Sequence, residues 1–130
     1  MAALVLDTTV LIDALRGRPA MNRIRGLIAA RETLLTTAIN VEEITRGLRP
    51  SETPSADALF AGLIVLPIRH EEAERAGLWR RDYAGRGITL HQADCLIAAA
   101  AATIGAALAT GNPKDFPMTE VPVEEWPVGR

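Results

Sequence analysis

A single cysteine, Cys95, is all the thiol chemistry this chain of 130 residues carries. One thiol excludes an intramolecular disulfide framework and is too few for a structural zinc or iron–sulfur site, so the cytosol is the expected compartment. Histidine is almost as scarce: His70 and His91 lie far apart, and neither belongs to an H-x-x-x-H pair that would set two imidazoles on one helix face. Aromatic residues make up 4% of the chain, so no row of rings for stacking bases is evident. Trp79, Trp126, Phe60 and Phe116 read instead as packing anchors. The longest apolar run, Cys95 to Thr110, is mostly alanine, contains Thr103 and Gly105, and falls short of the ~20 strongly apolar residues that a membrane span needs. No targeting segment is visible, because Met1 to Leu6 offers few apolar residues before Asp7 and no basic region. The G-x-S-x-G elbow, the P-loop, the Rossmann glycine fingerprint and any Cys–His pair are likewise missing.

What is present is ordinary globular composition, with 48% apolar and 23% charged residues. That amount of chain fits one domain over residues 1–130, burying about two-thirds of its unfolded surface. Net charge is -2 and the pI about 5.7, so the basic footprint of a protein held mainly by nucleic-acid phosphates is absent. A nucleic-acid partner would have to be recruited by metal ions or by a local arginine patch. Thirteen arginines against one lysine, Lys114, cluster as Arg16, Arg18, Arg23, Arg25 and as Arg80, Arg81, Arg86. They read equally as phosphate contacts, as a surface for an acidic partner, or as a solvated face.

Short apolar runs alternate with helical patterns. Ala2 to Leu6 reads as a buried strand ending in Asp7-Thr8-Thr9. A short helix over Val10 to Leu15, capped by Thr8 or Thr9, and a second from Pro19 to about Arg31 follow. Leu34 to Ala38 reads as a strand, with Asn40 capping Val41 to Leu48 and Glu42 and Glu43 in the first turn, where the helix dipole favours anions. Ser51 to Ser55 is a turn and Ala56 to Leu63 a helix. Leu48, Leu59, Phe60 and Leu63 there either pack on the sheet or line a groove for a partner helix. Ile64 to Ile68 is a strand that Pro67 places at an edge. Glu71 to Tyr83 and the alanine-rich Gln92 to Ile104 are helices, Ala106 to Thr110 a strand, Pro113 to Phe116 a helical turn, and Val121 to Val123 a final strand. This order predicts an α/β fold, a three-layer α/β/α sandwich around a short parallel sheet.

In open α/β sheets ligands bind beyond the carboxyl ends of the strands. Asp7 and the pair Asn112 and Asp115 directly follow apolar strands, and Glu43 and Asp94 lie early in helices. If the strands are parallel and adjacent, Asp7, Glu43, Asp94 and Asp115 meet in one cleft, where carboxylates repel unless a cation neutralises them. Oxygen ligands select magnesium or manganese. Such a site suits phosphodiester hydrolysis by a metal-activated water, with no nucleophilic side chain. All of these acids but Asp94, which heads into an apolar helix and needs a partner, also have a structural reading. Asp7 would cap the next helix, Glu42 rivals Glu43, and Asp115 with Asn112 would be an ordinary turn. Asp13 reads as a surface residue and Cys95 as a small buried apolar one.

Four segments together resemble a PIN-domain ribonuclease of the VapC-like toxin family. They are Leu6-Asp7-Thr8-Thr9-Val10-Leu11-Ile12-Asp13, Thr37-Ala38-Ile39-Asn40-Val41-Glu42-Glu43-Ile44 with Gly47, Asp94-Cys95-Leu96-Ile97-Ala98-Ala99-Ala100, and Ala109-Thr110-Gly111-Asn112-Pro113-Lys114-Asp115-Phe116. Each is weak alone; in this order they span nearly the whole chain. The resemblance implies a Mg2+- or Mn2+-dependent endoribonuclease, the toxin of a type II toxin–antitoxin module. Its implied partners are an RNA substrate, a small cognate antitoxin and a second copy in a homodimer, with no membrane. Asp7, Glu43, Asp94 and Asp115 match the four acids, and Glu43 is preferred to Glu42 because it stands four residues before Gly47. Thr9 matches a small polar residue that helps hold metal-bound water or phosphate, and Asn112 the polar residue beside the last acid. Asn40 stands where similar proteins often carry threonine. Two alternatives remain: a PIN-like RNA- or protein-binding module without toxin activity, and a receiver-like phosphoacceptor domain. The second wants an acidic pair near the first strand, and Asp7 has no acidic neighbour.

Overall fold

A computed structural model describes residues 3–129, so the expected first strand's Ala2 lies outside the described residues. Strand β1 (Ala3–Leu6) leads into helices α1 (Thr8–Leu15) and α2 (Pro19–Ala29), then strand β2 (Thr33–Thr37) and helix α3 (Ala38–Gly47). A 3-10 turn (Pro50–Glu52) precedes α4 (Thr53–Ala61), and β3 (Ile64–Leu66) is followed by α5 (His70–Ala84) and α6 (Gln92–Thr103). Strand β4 (Ala107–Thr110), a second 3-10 turn (Pro113–Asp115) and β5 (Val123–Glu125) complete the order. The five strands are all parallel, in the order β3-β2-β1-β4-β5. The expected sandwich is therefore the observed one. As Pro67 implied, β3 is an edge, and its Ile64 and Val65 are exposed. Among the described residues no helix is long and apolar enough to cross a membrane.

Strand residues alternate between two cores because successive side chains point to opposite faces. Val5, Leu35 and Leu108 pack under α5 and α6 with Trp79, Cys95, Ile97 and the alanines Ala98, Ala99 and Ala101. Leu4, Leu6, Leu34 and Ala109 face α1 to α4 with Val10, Leu11, Ile24, Ile44, Leu59 and Trp126. The alanine run of α6 carries little bulk, which lets that helix lie close to the sheet. Leu59 and Leu63 are buried in the second core, so these two pack on the sheet, while Leu48 and Phe60 pack against that core and stay partly exposed. Right-handed crossovers explain the two layers. The chain builds outward from β1 through β2 to β3 with helices on one face, then returns to the other side of β1 with α5 and α6 on the opposite face. The order thus reverses between β1 and β4, and a crevice opens at their carboxyl ends.

Several local expectations change. The cap position of α1 is held by Asp7, not by Thr8 or Thr9, and α4 begins at Thr53, inside the expected Ser51 to Ser55 turn. Helix α3 starts at Ala38 and its cap is Thr37, whose side chain accepts from the Ile39 and Asn40 N–H groups. Asn40 is the reciprocal member of that capping box, its Oδ1 accepting from the Thr37 N–H at 3.0 Å. Both residues are capping types three apart, so the sequence pattern fits either register. Glu42 and Glu43 consequently lie beyond the first turn, and the helix dipole does not account for them. Asp13, expected at the surface, is 1% exposed. The last strand sits at Val123–Glu125, two residues later than expected.

Candidate active site

Asp7 leaves β1 where the sheet reverses and is 5% exposed. It occupies the cap position of α1 yet makes no side-chain capping bond, so the structural reading of this acid fails. Its Oδ2 accepts instead from the Thr110 hydroxyl at 2.7 Å and from the Thr9 hydroxyl at 3.2 Å. Thr9 Oγ1 in turn accepts from the Gly111 N–H at 2.8 Å, and Thr110 Oγ1 from the Asn112 N–H at 3.0 Å. The two threonines thereby tie β4's outgoing loop to the first acid. Burial, first of all, pushes the Asp7 carboxyl above its usual range; hydrogen bonds from Thr110, the Thr8 N–H and Thr9 pull it back, and the negative charge of Glu43 adds to the rise.

Of the two neighbouring glutamates, Glu42 is exposed and pairs with Arg46 at 3.1 Å one turn on. Glu43 is half-buried and accepts the Thr8 hydroxyl proton at 2.6 Å. Asp94, in the first turn of α6, is also half-buried. Its carboxyl is pushed up to about 6, by burial first and then by the negative charges of Asp7 and Asp115; His91 opposes the rise and Glu43 adds to it. One carboxylate therefore senses the other three acids, which come from β1, α3 and the turn after β4. Asp115 is half-buried, and Asn112 is exposed beside it with its backbone N–H on Thr110.

A raised carboxyl binds its proton more tightly folded than unfolded, so the cost of ionising Asp94 appears as pH climbs from 3.8 to about 6 and is complete above that. In metal-free protein, Asp94→Asn is expected to raise stability at pH 7 by about 1–2 kcal/mol, a figure discounted for partial exposure, and to change little at pH 3.5. Thermal melts across that range check it.

Among the described residues no group of three or more His, Cys, Asp or Glu side chains is drawn close enough to hold an ion by direct contacts alone. Magnesium does not need such a cage, since it keeps several waters and uses one or two carboxylates directly. The donor set is entirely oxygen, and although burial is the main cause of the upward pull on Asp7 and Asp94, the part that comes from neighbouring acids is repulsion a dication would relieve. The residues fit the ion. Cys95 offers no alternative chemistry, since burial holds its thiol up at about 11.

Of the first arginine cluster, Arg16 lines a cavity of about 200 Å³ with Ile12, Leu15, Glu43, Leu48 and Glu52. Arg23 stacks 4.0 Å from the centroid of the Trp126 ring and borders a cavity with Ala3 and Ala107, at the amino ends of β1 and β4. It faces away from the cleft, so the expected patch divides. Sequence reasoning missed Thr37 and Thr110 and gave Thr8 and Asn40 only capping roles. Their signal was a polar residue at the carboxyl end of an apolar strand, or directly after one.

The PIN domain description matches residues 4–120. The chain belongs to the PIN domain family. Ribonuclease VapC19 of Mycobacterium tuberculosis is 31% identical over 115 residues, covering 88% of this chain and 92% of that protein. The PIN fold here superposes on VapBC2 from Rickettsia felis bound to a promoter DNA fragment with a TM-score of 0.83 at 22% identity, covering 96% of this chain and 99% of that one. A toxin–antitoxin complex from Klebsiella pneumoniae gives 0.73 at 26% identity, covering 91% and 94%. Membership of the PIN family removes the receiver-like alternative.

Proposed function

We propose that this PIN domain is an endoribonuclease and the toxin of a type II toxin–antitoxin module, with Asp7, Glu43, Asp94 and Asp115 as its active carboxylates. The observation that carries the reading is geometric: Asp7 follows β1 where the sheet reverses, bonded by Thr110 of the neighbouring β4, and Glu43 is bonded by Thr8, the residue after Asp7. The Asp94 carboxyl, raised by burial first and then by Asp7 and Asp115, agrees with it. Support comes also from a relative named as a ribonuclease and a neighbour named as a toxin–antitoxin complex. Asp7, Glu43, Asp94 and Asp115 would hold Mg2+ or Mn2+. When bound, such an ion lowers the pKa of a coordinated water and offsets charge on the phosphoryl oxygens. Thr9 and Thr110 hold the Asp7 carboxylate by Oδ2, and Arg16, which lines the same cavity as Glu43, would supply a positive charge for an RNA phosphate. Asn112, exposed next to Asp115, belongs to the same rim. RNA is the substrate, a small antitoxin the inhibiting partner, and a homodimer in the cytoplasm the working form.

The purified chain should cut structured RNA in Mn2+, leaving 5'-phosphate and 3'-hydroxyl ends, and chelation should stop it. Expression should arrest bacterial growth until the cognate antitoxin is supplied. RNA left intact by saturating protein in Mn2+ would overturn the enzyme and leave a binding module.

A further inference from the structure

Behind Glu43 lies a hydrogen-bond chain whose direction is fixed at every link. Thr37 Oγ1 already accepts from two backbone N–H groups, so its one proton goes to Asn40 Oδ1, at 2.7 Å. The Thr37 N–H donates to the same oxygen at 3.0 Å. Two donors on one atom settle which end of the carboxamide is oxygen, and Nδ2 is left facing Thr8 Oγ1 at 2.9 Å. Thr8, accepting there, commits its own proton to Glu43 Oε1 at 2.6 Å. Thr37 and Asn40 are 0% exposed, so water does not compete at the root of the chain.

We propose that Asn40 and Thr8 are positioning residues for Glu43: the buried carboxamide orients the Thr8 hydroxyl, which pins Oε1 and leaves Oε2 for the cation. This rests on the reading of Glu43 as a metal-site acid. Asn40 therefore does more than close a capping box. It couples the start of α3 to the start of α1, and the two helices present Glu43 and Asp7 to the same crevice. Partners that orient a metal-binding carboxylate typically cost about 10–100-fold in metal affinity or activity when removed.

The test compares Thr8→Val, which keeps the shape and loses the hydroxyl, with Thr8→Ser, which keeps the hydroxyl. Calorimetric Mn2+ binding to the purified chain is read beside RNA cleavage. Thr8→Val should weaken Mn2+ binding by about tenfold or more and lower kcat with little change in KM, while Thr8→Ser stays within about threefold of wild type. Asn40→Asp, which removes the Nδ2 donor, should reproduce the Thr8→Val loss, and the double variant should add nothing to it. If Asn40→Asp fails to fold, the Thr8 pair decides alone. Wild-type Mn2+ affinity and cleavage in Thr8→Val overturn the relay and leave the nuclease standing. A wild-type chain that neither binds Mn2+ nor cuts RNA overturns both.

Discussion

Asp7→Asn should abolish RNA cleavage, by about 10²–10³-fold or more, while the chain melts at or above the wild-type temperature. The two halves of that result have one cause. Oδ2 accepts from the Thr110 and Thr9 hydroxyls, and an asparagine with its oxygen turned toward them keeps both bonds. What is lost is the negative charge, and burial with Glu43 nearby already makes that charge costly. A residue held in place for its ionisation gives up function without giving up fold, and often gains stability when neutralised. Circular dichroism melts and an RNA cleavage assay in Mn2+ on the same preparation read both quantities. Wild-type cleavage by Asp7→Asn would sink the assignment of Asp7; a melting temperature far below wild type would make it a structural acid.

Elements whose cause is local were legible in the sequence. Apolar runs of four or five residues separated by helical patterns implied a parallel sheet, and parallel strands put every carboxyl end at one edge. Residues as distant as Asp7 and Asp115 could thus be expected at the same edge of the sheet before any contact was known. Features whose cause is remote were not legible. Arg23 shares a cluster with Arg16 in the sequence, yet one turns to Trp126 at the amino ends of the strands and the other lines the cavity that Glu43 also lines. Asn40 carries the right residue type for a cap, and only the position of Thr8, 32 residues earlier, gives its side-chain amide a second task. Thr110 looked like the last residue of an apolar strand, and its partner Asp7 lies 103 residues away.

Asp13 is the sharpest such case, and Asp13→Ala should cost about 2–4 kcal/mol of stability with cleavage per folded molecule unchanged. A lone acid on a short helix reads as a solvated residue because nothing in the flanking sequence distinguishes it. In the fold it is 1% exposed, and both oxygens are engaged. Oδ2 accepts from the Ala20 N–H at 3.1 Å and Oδ1 from the Gly129 N–H at 3.0 Å. The first of these belongs to α2, whose own cap position is Arg18, a side chain with no acceptor to offer. Asp13 supplies the missing acceptor from the preceding helix, where the dipole of α2 also favours its charge. The second bond ties the segment after Trp126 back onto α1. Alanine strands both donors at once, and for a domain of this size the loss should lower the melting temperature by about 6–16 °C. Asp13→Asn, which keeps one acceptor oxygen but turns an amide toward the other donor, should fall between alanine and wild type. An unchanged melt in Asp13→Ala would show that neither bond matters to the fold. Together with Asp7→Asn, it separates an acid buried to hold the chain together from one buried to act.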